Sequence, residues 1–497
     1  MAGNKVALGI DIGTGSTKAG LVDADGHLVV VGRCSHPITE PQPGWSESDP
    51  RAWLLSARSA IAEVLAARPD DEVVAVGFSG QMHGVVLCDD SMQPVRPAVL
   101  WSDRRSQPHL DELRGKFSAD DLARLANPVV AGMAGPNLAA LARHEPSAVE
   151  RTATIMQAKD WVRAQLTGEV ATDPSDASAT LLWDVMDDRW SAAAGEVFGV
   201  RSTMLPSVID SFDVAGAVTE TGGALFGLPA GIPVACGGAD TACALLGAGV
   251  RAGEYQVSTG TGGQIAHPVI DPAAANPAAG THCFRTVERR SDQTATAAPW
   301  YTMAATQNAG VAIDWALATL GLTLDEATRL VVETPIGSNG VTFLPYLTGE
   351  RTPHLDVGLS GAWSGLRPAT TRADLMRSVF EGVAFALRDG LDAMLRSSKP
   401  GSTPISAPEQ ALLAGGGSVA AWWRQMLADV LNLALVPHNA ADASVRGAAL
   451  LAWGSIDHPI DPGTAVTRLA MIEPDPRSAT AYEGALNRFR AAGSAQR

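Results

Sequence analysis

The chain has 497 residues, enough for two or three domains with sizeable cores. Hydrophobic residues make up 46% of it, and 50 glycines with 31 prolines stay short of low-complexity composition, so a folded globular protein is expected. A formal net charge of −16 argues against binding a nucleic-acid backbone, which needs a basic surface.

The five cysteines, Cys34, Cys88, Cys236, Cys243 and Cys283, are odd in number and form no C-x-x-C pair. That pattern disfavours a disulfide framework or zinc site and fits a reducing, cytoplasmic compartment. Met1 to Asp11 holds no basic-then-apolar run, so no secretory signal is expected. The uncharged stretch Thr221 to Ala239 has the length of a membrane span. It contains Pro229, Pro233 and six glycines, and reads as a loop and a buried strand.

In chain order, Val6 to Ile10 is a strand, followed by the loop Asp11-Ile12-Gly13-Thr14-Gly15-Ser16-Thr17-Lys18. Ala19 to Val22 and His27 to Val31 are extended around the Asp23–Gly26 turn, a hairpin signal. The Gly-rich loop therefore joins two strands, whereas a dinucleotide fold or P-loop would place a helix after it. Asp49-Pro50 opens a helix carrying Trp53, Leu54, Ala57, Ile61 and Leu65 at helical spacing. Val73 to Phe78 is a strand ending in Ser79-Gly80-Gln81-Met82-His83, and Val234-Ala235-Cys236 is another, ending in Gly237-Gly238-Ala239-Asp240.

The opening pattern then returns. Tyr255 to Ser258 is a strand, Thr259-Gly260-Thr261-Gly262-Gly263 a loop, and Gln264 to Ala266 extended. Two halves of related design, each with one Thr/Gly hairpin, are expected, with the boundary between Ala244 and Arg251. Thr371, with Asp374 three residues on, caps a helix bearing Leu375, Val379, Val383, Leu387 and Leu391. Ala411 to Ala414 is a strand running into Gly415-Gly416-Gly417, followed by a helix from Ala420 to about Asn432. Lys399 to Pro408 reads as an exposed loop, and Ala491 to Arg497 as a frayed end.

Four constellations carry chemistry. At the Asp11 loop, glycines expose backbone N–H groups to an anion, hydroxyls add donors, and a carboxylate beside phosphate suits magnesium. Read alone, such a loop is equally a tight turn; the matching loop at Thr259 favours phosphate. Gly415 to Gly417 is either a ligand platform over helix N–H groups or a packing turn. Asp240 is the only charged residue between Thr221 and Val250. It is either a base toward an alcohol attacking phosphorus or a helix N-cap, and the two are compatible. Met82-His83 and Trp101-Ser102-Asp103 offer sugar contacts or ordinary core.

These residues together resemble the FGGY carbohydrate kinases, and within them the xylulokinases, from about Val6 to Trp453. Asp11 to Lys18 resembles the family's first phosphate motif, and Gly44 to Glu47 with Asp49-Pro50 the segment before its first helix. Ser79 to Gly84 resembles the sugar loop, Gly237 to Asp240 the loop of the catalytic aspartate, and Ser258 to Thr261 the second phosphate loop. Leu344 to Pro353 resembles a further family run, Gly361 to Glu381 the second signature, and Gly415 to Gly417 with Trp423 to Met426 the adenosine motif.

The resemblance implies an α/β fold of two actin-like, ribonuclease-H-like ATPase domains with an interdomain cleft, residues 1–245 and 246–497. It implies ATP-dependent phosphorylation of D-xylulose to D-xylulose 5-phosphate in pentose catabolism, with ATP and Mg2+, in the cytoplasm. The partner is a small sugar, with no nucleic acid or membrane, and a homodimer is allowed. Asp240 is implied as general base, and Asp11 as the catalytic residue that holds the metal. Met82, His83, Asp103 and Asp240 are implied to contact the sugar. Thr14, Gly15, Ser16, Lys18, Thr259, Gly260, Thr261, Gly310, Gly415 and Gly416 are implied to contact the nucleotide. The chain departs from the family pattern at Asn137, Ala140, Arg105 and Thr241, which bear on the choice of sugar. A kinase for ribulose, another ketose or an erythritol-type polyol shares these motifs. An actin- or Hsp70-like protein-binding ATPase shares the hairpins but has no use for Gln81-Met82-His83, and a silent sugar sensor would not need Asp11 and Asp240.

Overall fold

The computed structural model of the protein describes residues 3–287, 298–396, 407–415 and 420–496. The chain opens with the antiparallel strands β1 (Lys5–Ile12), β2 (Ser16–Asp23) and β3 (Leu28–Ser35). They run longer than their apolar runs suggest, so Asp11, Ser16 and Lys18 lie within strands and only residues 13–15 form the turn. Helix α1 (Pro50–Ala67) starts as expected: Asp49 accepts from the Arg51 N–H, and Pro50 occupies the first turn. Its face of Trp53, Ala57, Ala60, Ile61 and Val64 is buried.

Next come β4 (Glu72–Gly80), α2 (Ala158–Thr167), α3 (Pro174–Ser178), β5 (Val214–Ala217), β6 (Pro233–Ala235), β7 (Gly238–Ala239) and α4 (Asp240–Gly247). The sheet order is β5-β6-β4-β1-β2-β3, with β7 also paired to β4. β4 runs parallel to β1, β6 and β7. The uncharged stretch after Thr221 is part helix, Glu220–Phe226, which the loop-and-strand reading missed; Thr219 caps it through the Gly222 N–H. Its glycines do not break it, because Gly222 and Gly223 pack where a Cβ would meet the carbonyl oxygens of Leu166 and Leu228. No helix among the described residues is long and apolar enough to cross a membrane.

The second sheet repeats the scheme. β8 (Tyr255–Thr259) and β9 (Gly263–Val269) form the hairpin. Then come β10 (Trp300–Thr306), α5 (Gly310–Leu320), α6 (Arg372–Leu395), β11 (Gln410–Ala414), α7 (Ala421–Leu431) and β12 (Ala434–Pro437). The six-stranded sheet begins with the edge strand His282–Arg285 and continues β10-β9-β8-β11-β12, with β11 parallel to β8 as β4 is to β1. Thr371 and Asp374 make the expected capping box on α6. The chain does not fray at Ala491; a helix runs Pro476–Ser494. Most of the Lys399–Pro408 stretch lies outside the described residues.

Helix α8 (Ala443–Ser455) closes the first unit. By contacts, that unit comprises Met1–Arg251, Cys283–Tyr301 and Asp442–Val466; the second comprises Ala252–His282, Thr302–Ala441 and Thr467–Arg497. The reading in two continuous stretches did not anticipate this threading. The reason is steric: α8 lies so close on the sheet that a Cβ on Gly77 would sit 1.9 Å from the Ala448 carbonyl oxygen, and one on Gly9 2.1 Å from that of Val445. Each unit has its own core. Val6, Leu8, Ile10, Trp53, Phe78 and Trp161 anchor the first, and Val257, Phe343, Phe380, Leu413 and Leu427 the second.

Candidate active site

The register of three parallel strands assembles the acidic centre of the first unit. Ser79 on β4 pairs with Asp11 on one side and Gly238 on the other. Asp11 near the end of β1 and Asp240 just after β7 thus flank β4, from which Gln81-Met82-His83 continue. Asp11 is buried, and its two oxygens accept from Ser79 Oγ at 3.0 Å and Ser444 Oγ at 2.8 Å. Asp240 Oδ1 accepts from the Thr241 N–H at 2.6 Å and Thr241 Oγ1 at 3.3 Å. Burial, helped by the charge of Asp11, pushes the Asp240 carboxyl up to about 7. Asp240 is not the N-cap of α4: Ala239 holds that position, and Asp240 is the first helical residue. A carboxylate poised near neutrality suits proton transfer at physiological pH. Two carboxylates close enough for one to raise the other are also a donor set that fits a hard divalent cation.

The first hairpin turn is open at its crest. The Gly13 N–H donates to Ser16 O, and the His36 N–H to Gly15 O. No atom lies within 4 Å of where a Cβ on Gly15 would point. Trp101 Nε1 donates to Thr14 Oγ1 at 2.9 Å. Lys18, expected at a nucleotide, is instead paired with Asp442 at 2.7 Å.

Met82 and His83 are buried. The Tyr301 hydroxyl lies 3.6 Å from Met82 Sδ. His83 adopts the left-handed backbone region with φ of 71°, and its Nδ1 sits 2.7 Å from Ala179 O. Nδ1 therefore carries the hydrogen. Gln81 Oε1 is buried without a hydrogen-bond partner among the described residues. Asp103, expected at the sugar, is held by its neighbours. Its oxygens accept from the Ser46 N–H, the Arg105 N–H, Arg105 Nε and Arg105 Nη2 at 2.6–2.9 Å, which uses the four acceptor positions of a carboxylate.

In the second unit three glycine positions converge. The Gly310 N–H donates to Gly260 O at 2.9 Å, and the Ala309 and Val311 N–H groups donate to Thr261 O. A Cβ on Gly310 would stand 2.6 Å from Gly260 O. Gly415, at φ 98°, would place one 2.4 Å from Thr259 O. Thr259 Oγ1 is buried with no hydrogen-bond partner among the described residues, a donor left for a ligand. Glu350 Oε1 accepts from the Gln307 and Arg351 N–H groups and fixes the turn before α5. Gly416 and Gly417 lie outside the described residues.

The N-terminal domain of the FGGY family of carbohydrate kinases matches residues 6–247, and its C-terminal domain matches residues 258–455. The chain belongs to the FGGY family of carbohydrate kinases. This FGGY kinase is 35% identical over 455 residues to a xylulose kinase of Streptomyces rubiginosus, covering 90% of this chain and 88% of that one. It is 31% identical over 453 residues to a xylulose kinase of Bacillus subtilis strain 168, again covering 90% and 88%. A crystal structure described as a xyloylose kinase from Brucella ovis superposes with a TM-score of 0.87 at 32% identity, covering 99% of each chain. The enzyme is an ATP-dependent sugar kinase with the two-domain α/β fold of the actin-like ATPase type.

Several residues of the FGGY kinase site escaped the sequence reading. Ser79 was quoted only as part of a loop, and Ser444 lies at the far end of the chain. Beneath β7 is a buried ion cluster: Lys159 Nζ stands 2.6 Å from Asp160, 3.0 Å from Asp173 and 3.1 Å from Asp176, and Arg163 stands 2.9 Å from Asp160. Burial and the like charges of Asp173 and Asp160 drive the Asp176 carboxyl well up despite Lys159. Two cations, Lys159 and Arg163, thus face three carboxyl groups in the cluster. Its only sequence signal is the spacing of charges in Ala158-Lys159-Asp160 and Asp173-Pro174-Ser175-Asp176.

Proposed function

We propose that this kinase transfers the γ-phosphoryl group of ATP to the terminal hydroxyl, O5, of D-xylulose, with Mg2+ as the metal. The observation that carries the reading is the strand register, which sets Asp240 beside the sugar loop Gln81-Met82-His83 and across Ser79 from Asp11. Likeness to proteins named xylulose kinases along 90% of the chain supports the sugar.

Asp240 accepts the O5 proton as the oxygen–phosphorus bond forms and the bond to ADP breaks. Thr241 holds Oδ1, so Oδ2 is the atom that takes the proton. Met82 covers an apolar face of the sugar, and His83 lies beside its hydroxyls. Asp11 would hold Mg2+ directly or through water; when bound, the cation offsets charge on the phosphate oxygens. Thr14, Gly15 and Ser16 offer donors to the phosphates from one hairpin, and Thr259, Gly260 and Thr261 from the other. Gly310 and Gly415 give the nucleotide close backbone approach, and Gly416 is assigned to the nucleotide by the family resemblance alone. Lys18 reaches phosphate only by leaving Asp442. A homodimer and a cytoplasmic location, implied by the family resemblance, belong to the same proposal.

The test is ADP release from MgATP with D-xylulose, D-ribulose, L-xylulose, xylitol, erythritol and glycerol. Selective stimulation by D-xylulose is expected. Stimulation by another member keeps the kinase and overturns the sugar, and steady turnover without any sugar overturns the transfer step.

A further inference from the structure

The peptide just before Asp240 is tied down on every side. Arg163 Nη1 donates to Cys236 O at 2.6 Å. The Gly237 N–H donates to Ser211 O at 3.1 Å. The Ala239 N–H donates to Ser175 Oγ at 2.8 Å. Ser175 Oγ in turn donates to Asp173 Oδ2 at 2.5 Å. Ser211 Oγ reaches the same Asp173 oxygen at 2.8 Å, and Lys159 Nζ lies 3.0 Å from the other. Burial opposes the Asp173 charge, but Lys159 and the seryl hydroxyls outweigh it and hold the carboxyl below its usual range.

A hydroxyl has one hydrogen. Because Ser175 commits it to Asp173, its lone pairs have a fixed direction, and the Ala239 N–H is aimed by them. β7 is only two residues long and pairs with one neighbour, so the sheet alone constrains it weakly. We propose that Ser175, oriented by Asp173, is a positioning residue for phosphoryl transfer that fixes the peptide ahead of Asp240 and hence the direction of its carboxylate. This rests on Asp240 being the base.

The test compares S175A, D240N and the double variant in the full-length enzyme, with ADP release read against D-xylulose concentration. Asp173 keeps the Ser175 N–H, Ser211 and Lys159 in S175A, so no carboxylate is stranded. The expected result is a kcat lower by about ten- to a hundredfold, the range of a misplacement near 1 Å, with KM for the sugar changed less than about threefold. The double variant should be no slower than D240N. If S175A does not fold, S175C, of similar volume but weak hydrogen bonding, makes the same comparison. An inactive D240N beside an S175A or S175C of parental kcat overturns the positioning role alone. A D240N that turns over near the parental rate overturns the assignment of the base, and the inference with it.

Discussion

Ser444 donates a 2.8 Å hydrogen bond to Oδ2 of Asp11, although 433 residues of chain separate them. Ser79 donates to Oδ1 from the adjacent strand, so two hydroxyls fix the plane of the carboxylate and leave its remaining lone pairs for a cation. A hydrogen bond to a charged group contributes about 1.5–3 kcal/mol. Ser444→Ala should therefore raise the Mg2+ concentration for half-maximal rate by roughly tenfold. A magnesium titration of ADP release reads this, and an unchanged midpoint would show that Ser444 only fills space.

Burial and the charge of Asp11 push the Asp240 carboxyl up to about 7, and the proposed mechanism uses its ionised form as the base. Below that pH the group is protonated and cannot accept from the sugar. kcat/KM should rise with pH and level off above about 7. The Thr241 hydroxyl holds the carboxyl down, so Thr241→Val should move this limb to higher pH. A limb that stays in place, or moves down, contradicts the assignment.

Arg105 is buried between Asp103 and Glu47 at 2.8 and 2.5 Å, and its guanidinium lies 3.9 Å over the Trp45 ring. Removing Asp103 takes the contacts to Nε and Nη2 from the buried Arg105 and leaves it Glu47 and Glu145, and breaking a buried pair costs about 3–5 kcal/mol. Asp103→Ala should lower the thermal midpoint or abolish folding. If it leaves stability alone and raises KM for the sugar, Asp103 is a sugar ligand after all.

Two glycines should respond in opposite ways. Gly77→Ala drives a methyl to within 1.9 Å of a backbone oxygen on α8 and should destabilise the protein by about 3 kcal/mol, or leave it insoluble. Gly15→Ala meets nothing within 4 Å and should fold normally, within about 0.5 kcal/mol of the parent. Its KM for MgATP should rise, because the methyl occupies the space above the hairpin crest. Equal effects on stability would contradict the difference in packing.

Much of the acidic centre was legible in short stretches of chain. Strand periodicity ended β1 and β4 close to Asp11 and His83, the Asp49-Pro50 cap started α1, and Thr371 with Asp374 started α6. Asp240 stood out because it is the only charge in a long uncharged stretch. What failed was also local. Asp240 looked like a cap because helix boundaries shift by a residue or two with backbone geometry. Helix Glu220–Phe226 was hidden by glycines that serve close packing, Gly222 against Leu166 and Gly223 against Leu228.

The sequence by itself determined which residues stand ready for chemistry: two carboxylates near strand ends, two Thr/Gly hairpins and the Gln81-Met82-His83 loop, because turn residues and hydrophobic period act over a few positions. Only the tertiary structure decided which groups are free to use it. Asp103 is consumed by Arg105 and Ser46, Lys18 by Asp442, and Asp11 is oriented by Ser444. The Lys18–Asp442 and Asp11–Ser444 pairings depend on the threading that returns α8 to the first unit. Such long-range contacts are set by packing, and no local pattern of residues encodes them.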